Sequence, residues 1–270
     1  MRVSPIGVFD SGLGGLTVVH EIKKLLPNED IIYLGDTARV PYGTRSKEMV
    51  TKFSFEDAKF LLTRKVKCIV IACNTASAFA GEALKKKIKV PVFDVVSPAA
   101  YEAAILSRNA RIGVIGTRGT IASQAYSQEI MRRAKGARVF EKACPLFVPL
   151  IEEGETRGQI LSGLAQKYLS YFGNKEIDTL VMGCTHYPII KEVIQKGVGK
   201  KVRLLNPGEA VSRELKNYLS LKNIQNSKKG KGRIEYYVTD LTRSFTKVAE
   251  MFLGERMDGR IRKVSLEGSA

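Results

Sequence analysis

The sequence predicts an α/β protein made of two similar, doubly wound parallel-sheet domains related by pseudo-two-fold symmetry, with the working site in the cleft between them. Three observations predict it. Short apolar runs alternate with amphipathic segments along most of the 270 residues, the N-terminal stretch is echoed later in the chain, and two cysteines occupy matching settings at the ends of apolar runs.

The strand-like runs are 6-IGVF-9, 31-IIYLG-35, 68-CIVIA-72, 92-VFDV-95, 111-RIGVI-115, 178-DTLVM-182 and 202-VRLL-205. Nearly continuous apolar runs of this length fit strands buried on both faces, as in a parallel sheet covered by helices. Between them, Leu16, Val19, Ile22 and Leu26 recur at helical spacing, as do Phe53, Ala58, Leu61 and Leu62. The alternation of strand and helix therefore implies parallel sheets with helices on each side.

IGVFDSGLGG, starting at Ile6, is echoed by IGVIGTRGT, starting at Ile112, an offset of 112 − 6 = 106. VIACNTA around Cys73 is echoed by VMGCTHY around Cys184, an offset of 184 − 73 = 111. Conserved order and nearly conserved spacing are what a duplicated half leaves behind. The first domain is expected to comprise 1–97 with 206–270, and the second 98–205. The tail holds a helix-like stretch at 208–221, a lysine-rich polar segment at 222–233 and the strand-like 234-IEYYVTD-240. It is too short for a core of its own and is expected to pack back on the first domain.

With 44% hydrophobic residues the chain can bury a full core, yet it has no run of 18 apolar residues and an N-terminus unlike a signal peptide. A cytoplasmic protein without a membrane partner is expected. Cys68, Cys73, Cys144 and Cys184 form no C-x-x-C pair and are too few for a disulfide framework, so free thiols are expected. The formal charge of +17 lies in separate runs: 64-RKVK-67, 85-KKKIK-89, 132-RRAKGAR-138, 196-KGVGKKVR-203 and 228-KKGKGR-233. These read as solvated faces. No helix-turn-helix, zinc-finger or aromatic-rich signature accompanies them, so nucleic acid is not the expected partner.

In open parallel sheets the loops leaving the carboxyl ends of strands form the binding crevice. The candidate loops are 10-DSGLGG-15, 35-GDTARVPYG-43, 73-CNTAS-77, 116-GTRGT-120 and 183-GCTHYP-188. The first has glycines between strand and helix, which would let backbone N–H groups approach an anion. Thr17 stands where a dinucleotide fingerprint needs its third glycine, and the P-loop lysine is missing, so a small carboxylate fits better than a nucleotide.

Cys73 and Cys184 each leave a strand just before a helix, where the helix N-terminus is expected to lower a thiol pKa. Cys68 and Cys144 read as small core residues, and His20 as a helix-surface residue. Each of the paired thiols has a candidate proton partner: Asp10 in the first half, His186 two residues beyond Cys184 in the second. An aspartate after a strand is more often a helix cap when taken alone. Taken with the thiols, it completes a pattern in which one sulfur faces each side of a trapped ligand. One group removes a proton and the other delivers one, which inverts a carbon centre.

At these residues the chain resembles the aspartate/glutamate racemase superfamily, through GVFDSGLGGLTV, GDTARVPYG, ACNTASA, the VPLIEEG segment at 148–154 and GCTHYP. The resemblance implies two α/β domains with the site between them, glutamate as substrate, and neither pyridoxal phosphate nor metal. It implies Cys73 and Cys184 as the acid/base thiols, Cys73 acting on the D-enantiomer and Cys184 on the L-enantiomer. Asp10 would support Cys73, and His186 would support Cys184. Asp10 with Ser11, Tyr42 with Gly43, Asn74 with Thr75, and Thr185 with His186 would hold the amino acid. Asp36 and Glu152 would play secondary roles. The product, D-glutamate, would feed peptidoglycan synthesis. The oligomeric state stays open, with a homodimer one option. Asn206-Pro207 replaces the Asp-Ser that many relatives carry, which puts the polar contacts of that segment in doubt. Three rivals remain: a related racemase acting on aspartate or a hydantoin, a basic nucleic-acid-associated protein, and a thiol hydrolase using Cys184 with His186.

Overall fold

The computed structural model describes residues 3–228, 230–241, 245–257 and 261–266. Lys229, part of one basic run, lies outside them.

The chain begins with β1 (Ile6–Asp10), α1 (Leu16–Leu25), β2 (Ile31–Gly35), α2 (Lys47–Thr63), β3 (Cys68–Ile71), α3 (Asn74–Lys87) and β4 (Val92–Asp94). It continues with α4 (Val96–Leu106), β5 (Arg111–Gly116), α5 (Arg118–Ala122), α6 (Ala125–Arg133), β6 (Arg138–Ala143), α7 (Phe147–Glu152), α8 (Gln159–Leu169), β7 (Thr179–Gly183), α9 (Lys191–Val198) and β8 (Arg203–Leu205). The last part holds α10 (Pro207–Leu221), β9 (Ile234–Val238), α11 (Phe245–Leu253) and β10 (Ile261–Lys263). The unbroken burial of β1, β2, β3 and β7 explains why they read as apolar runs.

Two parallel sheets result. One has the order β10-β9-β2-β1-β3-β4 and the other β6-β5-β7-β8. Stripped of its two tail strands, the first sheet reads 2-1-3-4 and the second repeats that order four strands later. The duplicated motifs thus sit on equivalent strands: β1 matches β5, and β3 matches β7. In each sheet the chain winds outward from the first strand to one side and then crosses to the other. This leaves a switch point between β1 and β3, and another between β5 and β7, where loops diverge and a crevice opens.

β6 escaped the sequence reading because 138-RVFEKA-143 carries charged residues and none of its six positions is buried. β9 adds to the edge of the first sheet by pairing with β2, Tyr33 opposite Tyr236. Helix α10 packs against both α1 and α4, so it spans the two halves. The Asn206-Pro207 pair proves to be an ordinary helix start: Asn206 caps α10, its side chain accepting from the Gly208 N–H at 2.9 Å.

One basic run is misread as solvated. The Lys67 side chain is 1% exposed and pairs with Glu29 at 2.5 Å, while its ammonium also donates to the Ile224 carbonyl at 2.9 Å. His20 is exposed, as expected, and its Nδ1 lies 2.8 Å from the Leu253 carbonyl at the end of α11. Among the described residues no helix is long and apolar enough to cross a membrane.

Candidate active site

The carboxyl ends of β1 and β3 face those of β5 and β7 across a cavity of about 290 Å³. The first domain contributes residues 11–12, 40–44 and 73–75, and the second contributes 117–118, 184–186 and parts of 145–152. Ser11, Tyr42, Gly43, Cys73, Asn74, Thr75, Glu152, Cys184, Thr185 and His186 all line it. Asp10 and Asp36 do not; both sit behind its wall.

Cys73 follows β3 and is the N-cap of α3. Its sulfur accepts from the Ala76 N–H at 3.5 Å and lies 3.6 Å from Ser11 Oγ. A helix N-terminus alone would lower its pKa, and that was the expectation. The opposite is found: burial first, and then the negative charge of Asp10, push the thiol up to about 12, against its hydrogen bonds with the Ala76 N–H and the Ser11 hydroxyl. At neutral pH this sulfur rests as a thiol.

Asp10, 1% exposed, ends β1. Its Oδ2 accepts from the Gly12 N–H at 3.0 Å, and its Oδ1 has no hydrogen-bond partner among the described residues. Burial raises its pKa, opposed by the charge of His186 and by backbone N–H groups. One N–H of the glycine loop is thus taken up by the loop's own aspartate, while Ser11 and Gly12 line the cavity. The loop's glycines serve close packing. A Cβ on Gly14 would lie 2.3 Å from Thr185 Oγ1 and 2.6 Å from the His186 ring, and one on Gly15 would lie 2.5 Å from Asp10 Cβ. Thr17, the residue that breaks the dinucleotide pattern, donates to the Thr185 carbonyl at 2.9 Å and so ties the two halves together.

Cys184 follows β7 directly, and its setting differs. His186 Nδ1 lies 3.8 Å from its sulfur, while His186 Nε2 lies 2.9 Å from Glu152 Oε1 on α7. Phe252 of α11 packs edge-on against the ring at 4.8 Å between centroids. Burial pulls the imidazole pKa down, but hydrogen bonds to Cys184 and Glu152 and their negative charges outweigh it and raise it to about 10. His186 is thus an imidazolium at neutral pH, held between a sulfur and a carboxylate.

Three contacts close the cleft that the sequence did not single out. Thr75 Oγ1 lies 3.0 Å from Thr117 Oγ1 and 3.1 Å from Thr120 Oγ1, and Tyr126 donates to Asn74 Oδ1 at 2.6 Å. Thr117 and Arg118 lie in the GTRGT repeat of the glycine loop. That echo was the signal available for them. Cys68 and Cys144 are fully buried in the cores, as read. Among the described residues no group of three or more His, Cys, Asp or Glu side chains is arranged to hold a metal ion.

The profile of the Asp/Glu/hydantoin racemase family matches residues 6–215. The chain belongs to that family. It is 48% identical to a glutamate racemase of Geobacter metallireducens over 97% of both chains, and 47% identical to one of Aquifex aeolicus over 95% of this chain and 96% of that one. Among solved structures, the glutamate racemase of Francisella tularensis in complex with D-glutamate superposes with a TM-score of 0.93 at 43% identity, covering 99% of both chains. Membership makes the chain an amino-acid racemase, an isomerase, and its two parallel-sheet domains are those of the racemase fold.

Proposed function

We propose that the chain interconverts L- and D-glutamate by cofactor-independent exchange of the α-proton between two thiols, supplying D-glutamate for peptidoglycan. One observation carries this reading: Cys73 and Cys184 leave equivalent strands of two repeated sheets and line one cavity from opposite domains. The likeness to glutamate racemases, one of them solved with D-glutamate bound, supports glutamate as the substrate. In this reading the domains are 1–97 with 206–270 and 98–205, in the cytoplasm.

From L-glutamate, a Cys184 thiolate takes the α-hydrogen as a proton while the Cys73 thiol gives its own proton to the opposite face; D-glutamate leaves, with Cys73 now the thiolate. The reverse reaction exchanges the roles. The imidazolium of His186 is the cationic partner such a thiolate needs on one side. On the other side Asp10 and burial favour Cys73 as a donor, which suits the last step toward D-glutamate. Ser11, Tyr42, Gly43, Asn74, Thr75, Thr185 and His186 supply the polar groups that would hold the two carboxylates and the ammonium. The unpartnered Oδ1 of Asp10 is an acceptor behind Ser11.

The test is incubation of chelator-treated, dialysed protein with L-glutamate in D₂O. D-glutamate carrying deuterium at the α-carbon is expected. Product without deuterium, or activity that returns only on adding a cofactor, would overturn the mechanism.

A further inference from the structure

The GDTARVPYG segment lies against the cavity, yet its acid, Asp36, faces away from it. Behind Tyr42 sits a closed polar cluster. Tyr42 Oη lies 2.5 Å from Asp36 Oδ2 and 3.0 Å from Asp57 Oδ2 on α2. Arg39 Nε donates to Asp36 Oδ2 at 2.6 Å, Arg39 Nη2 lies 3.4 Å from Asp57 Oδ1, and Arg39 Nη1 pairs with Glu56. Thr239 at the end of β9 donates to Asp36 Oδ1 at 2.9 Å. The side chains of both aspartates are 0% exposed, while Arg39 and Glu56 reach the surface at 22% and 27%.

The protons in this cluster do not balance if every acid is ionised. The phenol of Tyr42 has one proton, and two buried carboxyl groups stand within hydrogen-bond distance of its oxygen. Two carboxylates sharing one hydroxyl would leave a pair of acceptors facing each other across it in the buried interior. Three negative groups would also surround one guanidinium. A single added proton resolves both problems. Asp36 already takes donors from Arg39 and Thr239 as well as Tyr42, so it is the acceptor end. Among the described residues, the shared Tyr42 hydroxyl and the long contact to Arg39 are the side-chain partners of Asp57. Burial first, and then the charge of Asp36, raise its pKa well above the usual carboxylate range, against Arg39 and the bond to Tyr42.

We propose that Asp57 is a neutral carboxylic acid that donates to Tyr42, which in turn donates to Asp36, and that this ordered chain fixes the Tyr42–Gly43 wall of the cavity. Asp57 is thus a positioning residue, acting through Tyr42 on a substrate carboxylate. Its role rests on the glutamate racemase reading above only for the kinetic part. The proton itself is a property of the folded chain.

The experiment has two arms. Infrared difference spectra of the full-length protein at neutral pH, wild type minus Asp57→Asn, should show a protonated carboxyl stretch that shifts in D₂O. Absence of that band would overturn the proposal whether or not the protein racemises glutamate. In the kinetic arm, Asp57→Leu leaves the Tyr42 oxygen without its donor and is expected to raise KM for glutamate about tenfold with kcat changed much less. Asp57→Asn, whose amide can replace the acid as donor to Tyr42, should restore KM to within about threefold of wild type. Equal losses in kcat and KM for the Asn and Leu variants would mean that the charge of Asp57, not its proton, is what matters.

Discussion

The two thiols occupy the same place in two copies of one fold, yet their surroundings are opposites. Cys73 caps a helix beside a buried carboxylate and is pushed up to about 12. Cys184 stands next to an imidazolium that a carboxylate holds from behind. Duplication supplied the geometry, one sulfur per domain at each switch point. What diverged is the charge beside each sulfur. The electrostatics of this crevice are therefore set by a few residues at and beyond the strand ends, Asp10 closing β1, Glu152 on α7 and His186 in a loop, while the repeated strands fix where each sulfur stands.

The largest expected effect comes from removing either sulfur. On the proposed mechanism Cys73→Ser and Cys184→Ser should each lower kcat by about 10² to 10⁴-fold in both directions, the range of a lost general acid or base. Either variant retaining near wild-type rates would end the two-thiol reading. A constraint applies to every variant. The enantiomers have equal free energies in water, so kcat/KM must stay the same for L- and D-glutamate, and any asymmetry between the thiols can appear only in kcat and KM separately.

Next is the packing that brings the two surroundings together. Gly14→Ala puts a methyl group 2.3 Å from Thr185 Oγ1 and 2.6 Å from the His186 ring. A cost of about 1–3 kcal/mol is expected from the forced shift, and because the shift falls on the Cys184 side, activity should drop further than melting temperature. Unchanged kinetics would show that the cleft tolerates the displacement.

A smaller effect tests the Cys73 side. Asp10→Asn removes a charge that opposes the thiolate, so Cys73 should be alkylated by iodoacetamide several-fold faster at fixed pH, the larger thiolate fraction outweighing its lower nucleophilicity. Mass spectrometry of the modified peptide would read this out. A slower reaction would mean that Asp10 orders the sulfur rather than repelling its charge.

The fold was legible because its strands are buried on both faces: 68-CIVIA-72 and 178-DTLVM-182 can hardly be anything else. β6 was not, since an edge strand with charged side chains carries neither the apolar run nor the clean alternation of a half-buried strand. Ser11, Cys73, Asn74, Thr75, Cys184, Thr185 and His186 were legible through the repeated motifs, whereas Tyr42, Gly43 and Glu152 were singled out only through the family resemblance. The direction of the Cys73 shift was not, because a sequence shows that a helix follows but not how completely the sulfur is buried or that Asp10 lies close to it. Lys67 was misread for the same reason: its partner Glu29 lies on a separate loop 38 residues away.

The smallest expected effect concerns the Cys184 side and its dependence on pH. His186 is raised from 6.5 to about 10 in the folded chain. A raised imidazole pKa adds stability that is complete below the unfolded value and disappears as pH climbs through the folded one. The window here runs from about 6.5 to about 10. Glu152→Gln removes the carboxylate partner, and because the Glu152 side chain is 39% exposed, solvent screening limits the loss to roughly 0.5–1 kcal/mol. Denaturant melts of wild type and variant should therefore differ near pH 6 and converge above about pH 10. A difference that persists at the alkaline end would assign Glu152 a packing role. One that vanishes there ties it to the charge on His186, the counterpart in the second domain of the charge on Asp10 in the first.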